Sequence, residues 1–225
     1  MLGLEDKIGY HFKDKALLTK ALTHSSYANE MRLHGGSYER LEFLGDSVLS
    51  LIVSDYLFKN FSDLPEGDLT KIRAAIVCEQ SLFTYAQKLG LGEYLLLGKG
   101  EQQNGGRQRP SLLADAFEAL LAAMYLDGGF EVVQKMVLSF VNSEIKHIME
   151  SFHDYKTQLQ EIIQQNPEER LEYVLVAESG PDHNKRFTVH VMLNSNVIGV
   201  GEGRSKKQAE QMAAKQALEL MGQPV

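Results

Sequence analysis

Three acidic residues stand close together in Glu39-Arg40-Leu41-Glu42-Phe43-Leu44-Gly45-Asp46-Ser47, and two more in Ala114-Asp115-Ala116-Phe117-Glu118-Ala119. At about 100° per residue, Glu39, Glu42 and Asp46 fall within roughly 60° of one another on a helix. Arg40 points away from that stripe, so nothing basic at helical spacing relieves the repulsion, about 0.2–0.5 kcal/mol per pair. Asp115 and Glu118 are i,i+3 neighbours among alanines. One such pair is most often a solvated helix face. Here both clusters lie in strongly apolar segments, and Gly45, Ser47, Ala114, Ala116 and Ala119 are small enough for close helix approach. Four carboxylates, Glu42, Asp46, Asp115 and Glu118, are therefore expected to converge between two helices, as in the carboxylate metal sites of helix bundles. Oxygen donors without thiolate or an evident imidazole suit Mg²⁺, with Mn²⁺ able to substitute, over Zn²⁺. Such a site suits phosphodiester hydrolysis, where the ion lowers the pKa of a bound water and stabilises the leaving oxygen. A di-iron redox centre is the competing use, but it wants Glu-x-x-His pairs, and Glu42-x-x-Gly45 and Asp115-x-x-Glu118 lack the histidine.

The elements that must position these acids read as helices. Residues 40–60 carry Leu41, Leu44, Val48, Leu51, Ile52 and Leu57 close to helical spacing. Leu112–Leu126 repeats the pattern with Leu113, Phe117, Leu120, Leu121 and Met124, and Gly128-Gly129 closes it. No stretch in residues 1–150 alternates with period two, so an all-α domain is expected there. Residues 147–156 read as a linker running into a short helix, about 155–165, which Asn166-Pro167 closes. Leu171–Ala177 and Phe187–Leu193 are rich in β-branched and aromatic residues, as strands are. Asn194-Ser195-Asn196 reads as a hairpin turn into a third strand, Val197–Gly203. A last helix starts after Ser205, a natural N-cap, with an apolar face of Ala209, Met212, Ala213, Ala217 and Leu220. The second domain, residues 151–225, is thus expected to be a small α+β unit of order α-β-β-β-α.

The chain has 225 residues, 44% hydrophobic and 24% charged, which argues against disorder and against a membrane protein. No apolar run approaches the roughly 18–20 residues that span a bilayer. The start lacks a basic region followed by an apolar one, so secretion is not expected. Cys78 is the single cysteine, which excludes an internal disulfide framework and a Cys-rich zinc site. The expected compartment is a reducing cytoplasm. With 23 basic against 30 acidic residues and a net charge of −7, the chain as a whole is a poor nucleic-acid binder. Residues 151–225 hold 8 basic and 10 acidic residues, so even this domain is net negative. Locally, however, Arg204, Lys206 and Lys207 surround Ser205 at a helix start, where free N–H groups and the dipole already favour phosphate. Gly92 to Lys99 is not a P-loop, since Glu93 and Gly100 occupy positions that need Gly and Ser or Thr. Gly199-Val-Gly-Glu-Gly lacks dinucleotide-binding spacing. His24, His34 and His190 have no metal-ligand spacing, so structural roles are expected for them.

Glu39–Ser47 resembles the signature of ribonuclease III, the Mg²⁺-dependent endonuclease of double-stranded RNA. Leu22-Thr23-His24-Ser25-Ser26-Tyr27, Pro65–Ala74, Gly98–Arg107 and Ser111–Ala119 resemble further blocks of that family in the same order. Asp154–Glu161, Gly180-Pro181-Asp182-His183 and Gly201–Glu210 resemble the double-stranded RNA-binding domain that follows. The resemblance implies that Glu42, Asp46, Asp115 and Glu118 hold the metal, with Asp46 and Glu118 most essential to the chemistry. It implies that Glu39 and Glu66 assist at the cleft or dimer interface. It implies RNA contacts from Thr157, Gln160, Glu161 and Gln164 on one helix face, from His183 in a loop, and from Ser205, Lys206 and Lys207. It further implies a homodimer that cuts both strands of ribosomal RNA precursors and other structured transcripts. The products would carry 5′-phosphates, 3′-hydroxyls and two-nucleotide 3′ overhangs. A catalytically silent RNA-binding regulator is the alternative, but such a protein would not need all six acids.

Overall fold

The computed structural model describes residues 2–152, 154–181 and 184–223. The chain divides into two compact units, Met1–Phe152 and His153–Val225.

The first unit is helical: α1 (Leu2–Ile8), α2 (Lys15–Ala21), α3 (Ser25–Glu30), α4 (Glu39–Asn60), α5 (Glu66–Val77), α6 (Glu79–Leu89), α7 (Lys99–Gln103), α8 (Pro110–Gly128) and α9 (Phe130–Phe152). At the centre lies α8, which packs against α4, α6, α2 and α9. Leu112, Ala114, Phe117, Leu120, Leu121, Ala123 and Met124 are all buried, so it is apolar nearly all round, as a core helix must be. Pro110 opens it, where a missing N–H costs nothing, and Gly129, at φ 85°, follows its last turn. Asp127, near its end, accepts Tyr10 Oη at 2.6 Å and the amides of Lys13 and Asp14 at 2.8 Å. Those bonds fasten the N-terminal segment to α8. On α4, Leu41, Val48, Leu49, Ile52, Val53 and Leu57 face the core. Leu51 shares their helical spacing, as expected, but is 59% exposed beside Phe58. The expected linker also starts later than its polar composition suggests. Ile145 is buried and Ile148 packs on the core, so the helical spacing continues and α9 runs to Phe152.

The second unit contains α10 (Tyr155–Ile163), β1 (Leu171–Ser179), β2 (Arg186–Leu193), β3 (Asn196–Gly203) and α11 (Lys206–Leu220). The strands form an antiparallel sheet in the order β1-β2-β3. Asn194, at φ 56°, turns the chain between β2 and β3. Against β2 and β3 packs α11, with α10 beside it. Its buried face is Ala209, Ala213, Ala214, Ala217 and Leu218, whereas Met212 is 41% and Leu220 75% exposed. The alanines matter because the sheet comes very close. A Cβ built on Gly199, Gly201 or Gly203 would collide with the backbone of α11 at Ala213, Ala209 or both. This is the role of the Gly-x-Gly-x-Gly run.

Candidate metal centre and nucleic-acid interface

The helices that carry the acids, α4 and α8, cross at Gly45. A Cβ at that position would overlap the carbonyl of Glu118, so the absence of a side chain sets the distance between the two backbones. At this crossing Glu42 from α4 meets Asp115 and Glu118 from α8. Each offers a carboxylate oxygen, and these oxygens all lie within 4.8 Å of one another. All three residues are half-buried, and among the described residues none has an ion-pair partner. The electrostatic consequence is strong. Burial, then the charges of Asp46, Glu42 and Asp115, push the Glu118 carboxyl up to about 8. Burial, then Asp115 and Glu39, raise Glu42. Burial and Glu79 raise Asp115, while His24 draws it down. A half-buried, oxygen-only donor set without an ion-pair partner among the described residues fits a hard divalent cation.

Two of the other three expected acids, Asp46 and Glu39, sit beside this trio. Asp46 lies one turn further along α4, exposed and outside the group of three, but near enough to act on Glu118. Glu39 is exposed in the first turn of α4. Glu66 is placed elsewhere. It opens α5, accepts a hydrogen bond from Thr70 Oγ1 at 2.8 Å, and lines a cavity of about 460 Å³ with Leu51, Asp55, Phe58 and Arg73. Two neighbours escaped sequence reasoning. Tyr38, buried at the start of α4, has its phenol pushed upward by burial, Asp115, Glu42, Glu39 and Glu101. Glu79, the first residue of α6, bears on Asp115 only through the tertiary fold. No local pattern marks either one. His24 has the expected structural role, capping α3 through Ser26 N–H and lying 5.7 Å from the Tyr38 ring.

In the second unit, Ser205 Oγ accepts Gln208 N–H at 3.2 Å and so caps α11. Lys206 and Lys207 are exposed in its first turn, and Arg204 N–H donates to Gln208 Oε1 at 2.8 Å. Thr157, Gln160, Glu161 and Gln164 are exposed along and just past α10, although the Thr157 hydroxyl already donates to Asp154 at 2.8 Å. His183 lies outside the described residues.

A helical unit with a carboxylate cluster at a helix crossing, joined to an α-β-β-β-α unit with lysines at a helix start, defines the class: a metal-dependent nuclease domain followed by an RNA-binding domain. Residues 14–145 match the family model described as ribonuclease-III-like, and residues 155–221 match the double-stranded RNA binding motif. Ribonuclease 3 from Caldanaerobacter subterraneus subsp. tengcongensis is 54% identical over 97% of each chain. Ribonuclease 3 from Oceanobacillus iheyensis is 52% identical over 96% of each. The nuclease domain of ribonuclease III from Campylobacter jejuni, solved to show flexibility in a region involved in dimer formation, is 45% identical with a TM-score of 0.59. That alignment covers 63% of this chain and 95% of the Campylobacter domain. The chain belongs to the ribonuclease III family.

Proposed function

We propose that the chain is an endoribonuclease that hydrolyses phosphodiester bonds in double-stranded RNA with Mg²⁺. The observation that carries the reading is the convergence of Glu42, Asp115 and Glu118, with no ion-pair partner among the described residues, in a chain that also holds a double-stranded RNA binding motif. The ion, once bound, supplies a water of lowered pKa and a positive charge for the leaving oxygen. The chain's own residues do the rest. Glu42, Asp115 and Glu118 would hold the ion, with the Glu118 carboxyl in its ionised form. Asp46, exposed beside them, orients the attacking water. Residues 1–150 carry this chemistry, with Glu39 assisting. Residues 151–225 hold the duplex. Its phosphates meet Ser205, Lys206 and Lys207, and its shallow minor groove meets Thr157, Gln160, Glu161 and Gln164, with His183 entering a second groove. The substrates are ribosomal RNA precursors and other structured transcripts in the cytoplasm. A perfect RNA duplex incubated with Mg²⁺ or Ca²⁺, with its ends mapped, tests this reading. Staggered cuts bearing 5′-phosphates and 3′-hydroxyls are expected with Mg²⁺ alone. Binding without cleavage under both ions would replace the enzyme with a regulator.

The working form is a homodimer. Phe43, Leu51 and Phe58 are 79%, 59% and 76% exposed and form one stripe along α4. An apolar stripe of this kind is what an interface covers. Leu51 and Phe58 line the cavity that holds Glu66, so a second copy seated there would lie against Glu66. Replacing Phe43 and Phe58 together by Glu is expected to halve the mass measured by sedimentation. It should also convert paired cuts into rare single-strand nicks. A double variant that stays dimeric would place the interface elsewhere.

A further inference from the structure

Two lysines from different elements converge on one carboxylate at the edge of the RNA-binding unit. Lys185, just before β2, lies 2.7 Å from Glu178 Oε2, and Lys206, at the start of α11, lies 3.2 Å from Glu178 Oε1. Phe187 pairs with Glu178 across β1 and β2. Its ring lies under both ammonium groups, at 5.5 Å from Lys185 and 5.8 Å from Lys206. The ring is packed on the core, so it forms a fixed floor beneath the two cations. Hydrogen bonds from Lys185 and then Lys206 hold the Glu178 carboxyl below its ordinary range.

This arrangement bears on how Lys206 can serve a phosphate. A lysine paired one-to-one with a carboxylate presents little net charge to an approaching polyanion. Here one Glu178 charge is shared, and its shorter contact is to Lys185. We propose that Lys185 is a positioning residue: it occupies Glu178 and thereby leaves the Lys206 ammonium free to meet an RNA backbone phosphate. An ammonium carries three donors, so Lys206 can keep the Phe187 floor and turn a donor toward the duplex. When the phosphate arrives, Lys206 exchanges Glu178 for it, and Lys185 remains as the counter-ion that Glu178 would otherwise lack. Lys185 acts through Glu178 and need not touch RNA. The proposal rests on the reading that α11 binds phosphate through Lys206 and Lys207.

The test is a charge-swap cycle in the full chain, with a perfect RNA duplex and Ca²⁺ in place of Mg²⁺, read as affinity at several salt concentrations. Lys185→Gln is expected to weaken binding about three- to ten-fold at low salt and to lower the salt slope by about one ion, as if Lys206 itself were lost. Glu178→Gln alone is expected to bind at least as tightly as the parent. The Glu178→Gln, Lys185→Gln double variant is expected to return to parental affinity, because the carboxylate that Lys185 restrained is gone. A double variant as weak as Lys185→Gln would overturn the proposal, since Lys185 would then contact phosphate directly. A Lys185→Gln variant with parental affinity and slope would also overturn it. Lys206→Gln with Lys207→Gln serves as the separate check: if that pair binds RNA normally, the phosphate reading of α11 fails, whatever Lys185 does.

Discussion

Glu118→Gln is expected to reduce cleavage of an RNA duplex by about 10³-fold or more, while duplex binding stays within about two-fold of the parent. The substitution keeps the shape of the side chain and removes the charge that must meet the metal. The double-stranded RNA binding motif lies in the second unit, which the substitution leaves untouched. The same residue predicts a pH dependence. In the unfolded chain its carboxyl titrates near 4.5, and in the folded chain burial and three neighbouring acids push it to about 8. The folded state therefore holds a proton that the unfolded state releases. That contribution to stability is complete below pH 4.5 and is lost as pH rises through about 8. Metal binding must expel the proton, so Mg²⁺ affinity is expected to climb with pH up to about 8 and then level off. Glutamine carries no charge at any pH. Without divalent ions at pH 8–9, the variant should melt at a higher temperature than the parent, and Mg²⁺ should stabilise the parent far more. Melting curves with EDTA and with Mg²⁺ across pH 6–9 check this. Normal cutting, or equal stabilisation of both proteins by Mg²⁺, would remove Glu118 from the metal site.

Much of this site was legible because helical periodicity is a local property. Glu39, Glu42 and Asp46 had to share a face of α4, and Asp115 and Glu118 a face of α8, whatever lay beyond them. The α-β-β-β-α order was legible for the same reason, down to Ser205 as the cap of α11. What periodicity cannot say is which element lies opposite. It marked Leu51, Met212 and Leu220 as apolar positions without showing that each faces outward. It put four carboxylates together, where the side chains place three within ligand reach and leave Asp46 beside them. It could not connect Glu79 to Asp115, or Lys185 to Lys206 through Glu178, because those pairs are joined only by tertiary packing. The glycines were the most under-read residues. Gly199, Gly201 and Gly203 looked like a failed nucleotide motif, but they mark where a helix lies against a strand.

Gly45→Ala is expected to lower cleavage about 10²-fold or more, although it removes no acid and adds only a methyl group. The added carbon would overlap the carbonyl of Glu118. A long side chain could rotate out of the way, but the backbone of a core helix cannot. Relief requires α4 and α8 to separate, and overpacking of this kind costs about 1–3 kcal/mol. For a unit of this size that corresponds to a fall in melting temperature of roughly 3–10 °C. The chemistry should suffer more than the stability. Glu42 rides on α4, while Asp115 and Glu118 ride on α8, so separation pulls the ligand set apart along the axis on which it closes. A shift of about 1 Å in reacting geometry is enough for about 10²-fold in rate. Duplex binding should be unchanged, since the second unit has its own core. Gly35→Ala is the control, because a methyl group there meets open space at an ordinary backbone angle. Parental melting temperature and cleavage rate in Gly45→Ala would mean that the helix crossing is not what sets the site. A lowered melting temperature with a normal rate would mean that the metal ligands follow the helices as they move.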